Sequence, residues 1–421
     1  MSREAWCPQV PPRVPSRETF LSGTYDYALS TTSQFFFCGL PFRLDMSSGC
    51  SIGCAYCFAA SRGGNATGVR KVLDPDWLAR KLTGARQHNS TPCDIAEEFL
   101  RRRIPVHFGG LSDPFSDEET SGLAVRALDS LAALDYPTVV STKNVVRLLQ
   151  PDVLPVLKRM RNLAIQVSFS TLDPGLASLL EPGAPSPAAR LIACKLLSDT
   201  GVPMIARLQP LLPSLAAVTA NETIPQLAAC GFRHITIECL KVPLERTARA
   251  PMSALPSPVS RDIALFETGN RLRIGREWLL PTEQRWDILQ PLIVAIHSEN
   301  LTYGAADYGL LHLGDTDMCC GISTLAGFEN WHKGNIAYVI RSATNGLVSF
   351  DALEMEWTAQ QSARRVLNST CRIDGPQRPI DYIRAKWNAR TANAPDSYLM
   401  VTYAGERDEH GACLYYKNVV S

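Results

Sequence analysis

Three cysteines crowd one short stretch of the chain, Ser48-Gly49-Cys50-Ser51-Ile52-Gly53-Cys54-Ala55-Tyr56-Cys57-Phe58, spaced Cys-x3-Cys-x2-Cys with an aromatic directly after. Thiolates held this closely in one loop are ligands far more often than packing groups. Three ligands leave a metal centre one short, because structural zinc takes four protein ligands and a closed iron–sulfur cluster also takes four. The stretch points to an iron centre with one open position. A disulfide, or a zinc knuckle completed by a distant Cys or His, is the competing reading. The glycines and the aromatic fit an iron–sulfur loop better than either.

Further residues with chemical reach stand where strands are expected to end. The apolar run Ile104–Phe108 stops at Gly109-Gly110-Leu111-Ser112-Asp113-Pro114-Phe115, and paired glycines there permit close approach of a ligand to the backbone. An ordinary tight turn is the alternative. The run 137–144 ends at Lys143. In the run 163–171, Ser168 and Ser170 share a face, as do Arg207 and Gln209 in the run 202–213. An arginine within an apolar strand needs an anionic partner, which a structural carboxylate, a cofactor carboxylate or a substrate phosphate can supply. Glu238 closes a sixth run, 234–240, as a charge partner or a substrate contact.

The cysteine loop resembles that of the radical S-adenosylmethionine (radical SAM) enzymes. The Gly-x-Ser-Asp-Pro-Phe wording, the Thr-Lys pair at 142–143 and the Glu-Pro-x-x-Pro-Ser run at 181–186 are similar to the subgroup related to spore photoproduct lyase. The resemblance covers residues 40–240 and implies a partial (β/α)6 TIM-type barrel. It implies a 4Fe–4S cluster on Cys50, Cys54 and Cys57, whose open iron binds S-adenosylmethionine and which cleaves it reductively to a 5′-deoxyadenosyl radical. A flavodoxin or ferredoxin would supply the electron. Tyr56 and Phe58 would shield the cluster and border the adenine. Gly109, Gly110, Ser112 and Asp113 would line the methionine end, and Lys143, Ser168, Ser170 and Arg207 would complete the cofactor cradle. One departure is Leu111, where an acidic residue is often found.

Strands alternating with helices give an α/β fold with a parallel sheet, and functional loops belong at the carboxyl ends of such strands. The expected organisation is an N-terminal arm (1–34), the barrel (35–245), a barrel extension (246–330) and an α+β C-terminal cap (331–421). A helix is expected over 145–160, a strand at Phe35–Phe37, a further strand near 301–307 and a hairpin turn at Asp408–Gly411. With 421 residues and a formal net charge of +1, no overall basic field recruits nucleic acid. No apolar stretch approaches the ~20 residues that span a bilayer, and residues 1–15 lack the apolar core of a secretory signal. Thirteen cysteines without an export signal suit a reducing cytoplasm.

Cys319 and Cys320 are adjacent. They could donate hydrogen, join Cys371 at a second metal centre, or sit buried as small hydrophobes; Cys93 is a third candidate donor. Basic residues interleave with aromatics over 330–421, a pattern that stacks bases or, more often, packs a module. Three functions follow: a radical enzyme acting on a nucleic acid base, one acting on a peptide or small metabolite with an auxiliary cluster, and a zinc-stabilised nucleic-acid-binding protein.

Overall fold

The computed structural model describes residues 21–417 apart from 33, 62–69, 88–89, 329–330, 345, 362–377 and 392–393. Eight strands form its central sheet: β1 (Leu29–Thr31), β2 (Phe42–Leu44), β3 (Val106–Phe108), β4 (Thr138–Thr142), β5 (Leu163–Phe169), β6 (Met204–Leu211), β7 (Phe232–Cys239) and β8 (Thr302–Ala305). They lie side by side in chain order. From β2 to β8 every neighbouring pair is parallel, and β1 alone runs antiparallel, on β2. The fold is α/β, and the parallel set has seven strands, because Thr302–Ala305 joins the six runs before it.

Register divides the sheet into two unlike faces. One presents rows such as Leu44, Phe108, Val140, Ile165 and then Phe169, Leu208, Ile237. These share a core with helix residues Leu78, Leu82, Leu128, Leu131, Leu197, Leu227, Leu289 and Ile296. The other presents Arg43 and His107, then Ser141, Gln166 and His234, then Ser168, Arg207, Thr236 and Gly304. Its polar groups satisfy one another: His107 Nε2 lies 2.6 Å from Ser141 Oγ, which donates to Gln166 Oε1 at 2.8 Å. Parallel strands are usually apolar on both faces, so a polar inner face marks a lining.

Helix starts follow local chemistry. Asp94, Asp117 and Ser186 each cap a helix through the side chain, and Pro187 occupies a first-turn position where its missing N–H costs nothing. Two expectations are corrected. Residues 145–160 form a 3₁₀ turn, Val145–Leu149, and a short helix, Leu154–Arg159; Pro151 and Pro155 lie in that stretch and prolines interrupt a helix interior. Phe35–Phe37 form turns, not a strand, and all three rings are buried.

Residues 242–279 build a small antiparallel sheet and two helices over their own apolar core, against which Ala55 and Tyr56 of the cysteine loop pack. At the C-terminus, β9 (Leu347–Val348), β10 (Val401–Arg407) and β11 (Cys413–Lys417) form a sheet, with the expected turn between the last two. Tyr382, Trp387, Tyr398 and Tyr415 are buried there. Arg378, Arg384 and Arg390 are ion-paired with Asp381, Glu354 and Asp396. These described residues pack a module; Arg364 and Arg365 lie outside them. No helix of the described chain is long and apolar enough to cross a membrane.

Candidate active site

The cysteine loop leaves β2 at the carboxyl end of the sheet and is held there by two straps. On one side the Ser51 hydroxyl donates to Ser116 O (2.9 Å) and to Asp117 Oδ2 (2.8 Å), and Asp117 also pairs with Arg70 at 2.7 Å. On the other, Ala55 N donates to Leu180 O and Gly183 N to Ile52 O, both at 2.9 Å. Gly183 is required by proximity: a Cβ there would stand 2.7 Å from Ile52 Cα. Between the straps Cys50, Cys54 and Cys57 are all half-buried free thiols. Burial pushes Cys50 up to about 12, with Asp113 adding to it, and pushes Cys54 higher still.

Three half-buried thiols in one loop, one ligand short of a closed set, suit a cluster with one open iron. Among the described residues no three His, Cys, Asp or Glu side chains converge on a single-ion position.

Behind the loop lies a buried charge network that sequence reasoning did not foresee. The Glu181 side chain is fully enclosed. It pairs with Lys143 Nζ at 3.2 Å and Arg190 at 2.8 Å and accepts from the Tyr56 hydroxyl. Burial would raise this carboxyl, but Lys143, Arg190 and the Tyr56 and Ser170 hydroxyls outweigh it and hold it near about 2. Lys143 also lies 5.5 Å from the Tyr56 ring centre, and Arg190 donates to Ser168 O at 2.8 Å. The expected cradle residues Tyr56 and Lys143 therefore meet at Glu181, while the Ser170 hydroxyl is buried nearby.

The glycine pair sits on the opposite flank. Gly109 adopts φ +93°, and a Cβ there would be 2.5 Å from Ser141 O; one on Gly110 would be 2.7 Å from Arg43 Cδ. Asp45, missed in the sequence, accepts from Leu111 N (2.7 Å) and Ser112 N (3.1 Å), so an acid from the neighbouring strand end serves the turn that carries Leu111. Ser112 Oγ is buried without a hydrogen-bond partner. Asp113 is committed to the scaffold: it accepts from Thr142 Oγ1 (2.8 Å), Lys143 N (2.6 Å) and Phe115 N (2.9 Å). Phe58 is 37 % exposed, at the outer edge.

Ser168 and Arg207 are register partners on the polar face and remain half-buried, as do Gln209 and Glu238 above them, whereas Gln166 and His234 one row deeper are buried. That gradient defines an opening at the carboxyl end of the sheet. The Cys319–Cys320 loop crosses its far side, where Cys319 O accepts from His234 Nε2 (2.9 Å) and Thr236 Oγ1 (2.8 Å). Cys38 lies in the same place: a Cβ on Gly39 would be 3.0 Å from Cys320 Sγ and 3.7 Å from Cys319 Sγ. A lone cysteine before the first long strand gave no signal of this. Cys93 is exposed, beside the helix start at Asp94, and Cys371 lies outside the described residues.

The α/β fold is shared with solved structures. A variant of spore photoproduct lyase superposes with a TM-score of 0.50 at 14% identity, covering 70% of this chain and 85% of that one. SuiB of Streptococcus suis gives 0.40 at 12% identity, covering 65% and 51%. Uncharacterized proteins of Mycobacterium bovis and Mycobacterium tuberculosis are 28% identical over 209 residues, 47% of this chain and 58% of theirs. The match thus spans little more than half the length of those relatives. No protein-family model matches the chain. The fold is similar to that of spore photoproduct lyase.

Proposed function

We propose that the protein is a radical SAM enzyme with a partial (β/α)6-type barrel. Cys50, Cys54 and Cys57 hold a 4Fe–4S cluster, and S-adenosylmethionine lies between the cysteine loop and the strand ends. The observation that supports this most strongly is the meeting of that loop with the Gly109–Gly110 strand end and Lys143 at one end of a parallel sheet. The fold is shared with spore photoproduct lyase, itself a radical SAM enzyme. When bound, the cluster and S-adenosylmethionine supply a carbon radical that takes a hydrogen atom from the substrate.

The chain's own residues orient and enclose. Gly109 and Gly110 present backbone where a side chain would collide, and Ser112 Oγ offers an unpartnered hydroxyl. Lys143 is positioned by Glu181, and Ser168 stands on the accessible row above the buried floor. Tyr56 and the 242–279 segment cover the loop, which matters because a primary alkyl radical must meet only its substrate. A cytoplasmic setting with a flavodoxin or ferredoxin as electron donor completes the reading.

A nucleic acid base, as the resemblance to the spore photoproduct lyase subgroup implies, is one candidate substrate here. Tyr382, Trp387, Tyr398 and Tyr415 are buried and Arg378, Arg384 and Arg390 are ion-paired, leaving Tyr416 as the exposed aromatic of that sheet, which favours a peptide or small metabolite. The test is anaerobic reconstitution followed by chemical reduction with S-adenosylmethionine. Wild type is expected to carry about four irons per chain and to form 5′-deoxyadenosine, and Cys54→Ala to lose both. A colourless zinc protein forming no 5′-deoxyadenosine would overturn the reading. About eight irons, reduced by Cys320→Ala, would establish an auxiliary cluster.

A further inference from the structure

The inner face of the sheet carries an arginine whose charge no described residue answers with an ion pair. Arg207 points to the polar side, in register with Ser168 and Thr236. Its side chain bonds to Gln209 on the same face, and among the described residues it forms no ion pair. The two fully buried arginines are different: Arg190 has Glu181 at 2.8 Å and Arg285 has Asp307 at 3.3 Å. The groups facing Arg207 are Cys319, Cys38, Cys320 and Tyr56. Burial pushes the three thiols upward, Cys38 to about 12, so none of them supplies a negative charge at neutral pH.

A second guanidinium bears on the same space. Arg43 and Arg207 both act on Cys38 and on His107, which burial and these two cations keep neutral. Arg43 donates to Ser30 Oγ (3.1 Å) and Thr31 O (3.4 Å) and has the buried carboxyl of Asp45 within electrostatic reach, so the charge on this face that stays unpaired is that of Arg207. A deep cation without a counter-ion is costly, and costlier than an apolar residue of its size. A half-buried guanidinium one row above the buried floor is therefore a receptor for a planar anionic group, which its fork can grip with two parallel hydrogen bonds.

We propose that Arg207 holds an anionic group of the substrate, a phosphate or a carboxylate, beside the thiols of Cys38 and Cys319. The inference rests on the reading of this opening as the reaction chamber. It assigns Arg207 to the substrate rather than to the cofactor, because its register partner Thr236 holds the Cys319 carbonyl, and three of the four groups beside it come from the loops before β2 and after β8, Tyr56 of the cluster loop being the fourth.

Thermal unfolding and S-adenosylmethionine binding of reconstituted wild type, Arg207→Gln and Arg207→Lys test it. Inorganic phosphate or succinate is expected to raise the wild-type Tm with concentration, as a ligand of the native state must. Arg207→Gln should lose that shift, melt at or above the unliganded wild type, and bind S-adenosylmethionine within about threefold of wild type. Arg207→Lys should retain part of the shift, since it keeps the charge without the fork. Protection by phosphate alone assigns a phosphoryl substrate, and by succinate alone a carboxylate one. Three results would overturn the proposal: no shift in wild type with either anion, a lower unliganded Tm for Arg207→Gln, or a loss of S-adenosylmethionine affinity of about tenfold or more in that variant. Failure of the radical reading registers separately, as absence of 5′-deoxyadenosine from reduced wild type, and leaves the anion-dependent Tm shift in place.

Discussion

Glu181 shows how much one enclosed carboxylate can organise. It answers Lys143 and Arg190 together and takes the Tyr56 hydroxyl, so it joins β4, the helix at Pro187–Ser198 and the cysteine loop. Glu181→Gln leaves two buried cations short of a counter-charge and is expected to cost about 3–5 kcal/mol, read as a lower urea midpoint at unchanged slope. Acid acts the same way. The carboxyl is held at about 2 against an ordinary 4.5, so its contribution is complete above pH 4.5 and is lost as pH falls toward 2. Asp117 follows the same sign, as the Thr120 amide, Arg70 and Ser51 overcome its burial and bring it to about 2. Stability measured from pH 6 downward should fall across that window, less steeply in Glu181→Gln. Residue types in a tight local pattern were readable beforehand, as with the three cysteines and the glycine pair. Asp45, Asp117 and Cys38 were not, because their partners lie on other elements and nothing near them in sequence announces those contacts.

Elements were legible where local and global preferences agree. The runs 163–171, 202–213 and 234–240 are apolar, β-branched and bounded by turn residues, and each became a strand. Leu29–Thr31 escaped notice because three residues carry no period, and its place was fixed by pairing with β2. At Val145–Met160 apolar spacing suggested one helix, and backbone chemistry overruled it. Two glycines set how closely elements meet. Gly183→Ala would press a Cβ onto the Ile52 backbone, which cannot yield like a side chain. Such overpacking costs about 1–3 kcal/mol, and the iron bound per chain after reconstitution should drop as the loop is displaced. Gly109→Ala adds a left-handed φ to a collision with Ser141 O. It is expected to weaken S-adenosylmethionine binding, measured by equilibrium dialysis, more than a substitution at Gly122, where a Cβ meets nothing within 4 Å.

Across the whole molecule, the C-terminal segment is part of the same body as the sheet. Phe37 stacks on Tyr398 at 4.3 Å, Phe35 on Tyr382 at 5.3 Å, and Ile336 N donates to Phe36 O. Trp387, fully buried and donating to Cys413 O at 2.6 Å, anchors that segment. Trp387→Ala should cost about 3–5 kcal/mol, and tryptophan fluorescence and far-ultraviolet circular dichroism should report one shared transition rather than two. The pattern of strands was enough to foresee the sheet, but not this closure, because aromatic contacts over such separations leave no period to read.

The pairing of Phe35–Phe37 with Tyr382 and Tyr398 also bears on how the chain is made. A ribosome adds about 5–20 residues per second, so the segment before β2 waits about 20–70 s for its partners to emerge. During that interval three consecutive phenylalanines stand without their cover beside a nascent parallel sheet, the kind of surface that invites aggregation. Synthesis in the cell should therefore depend on chaperone capacity more steeply than the stability of the finished protein would suggest.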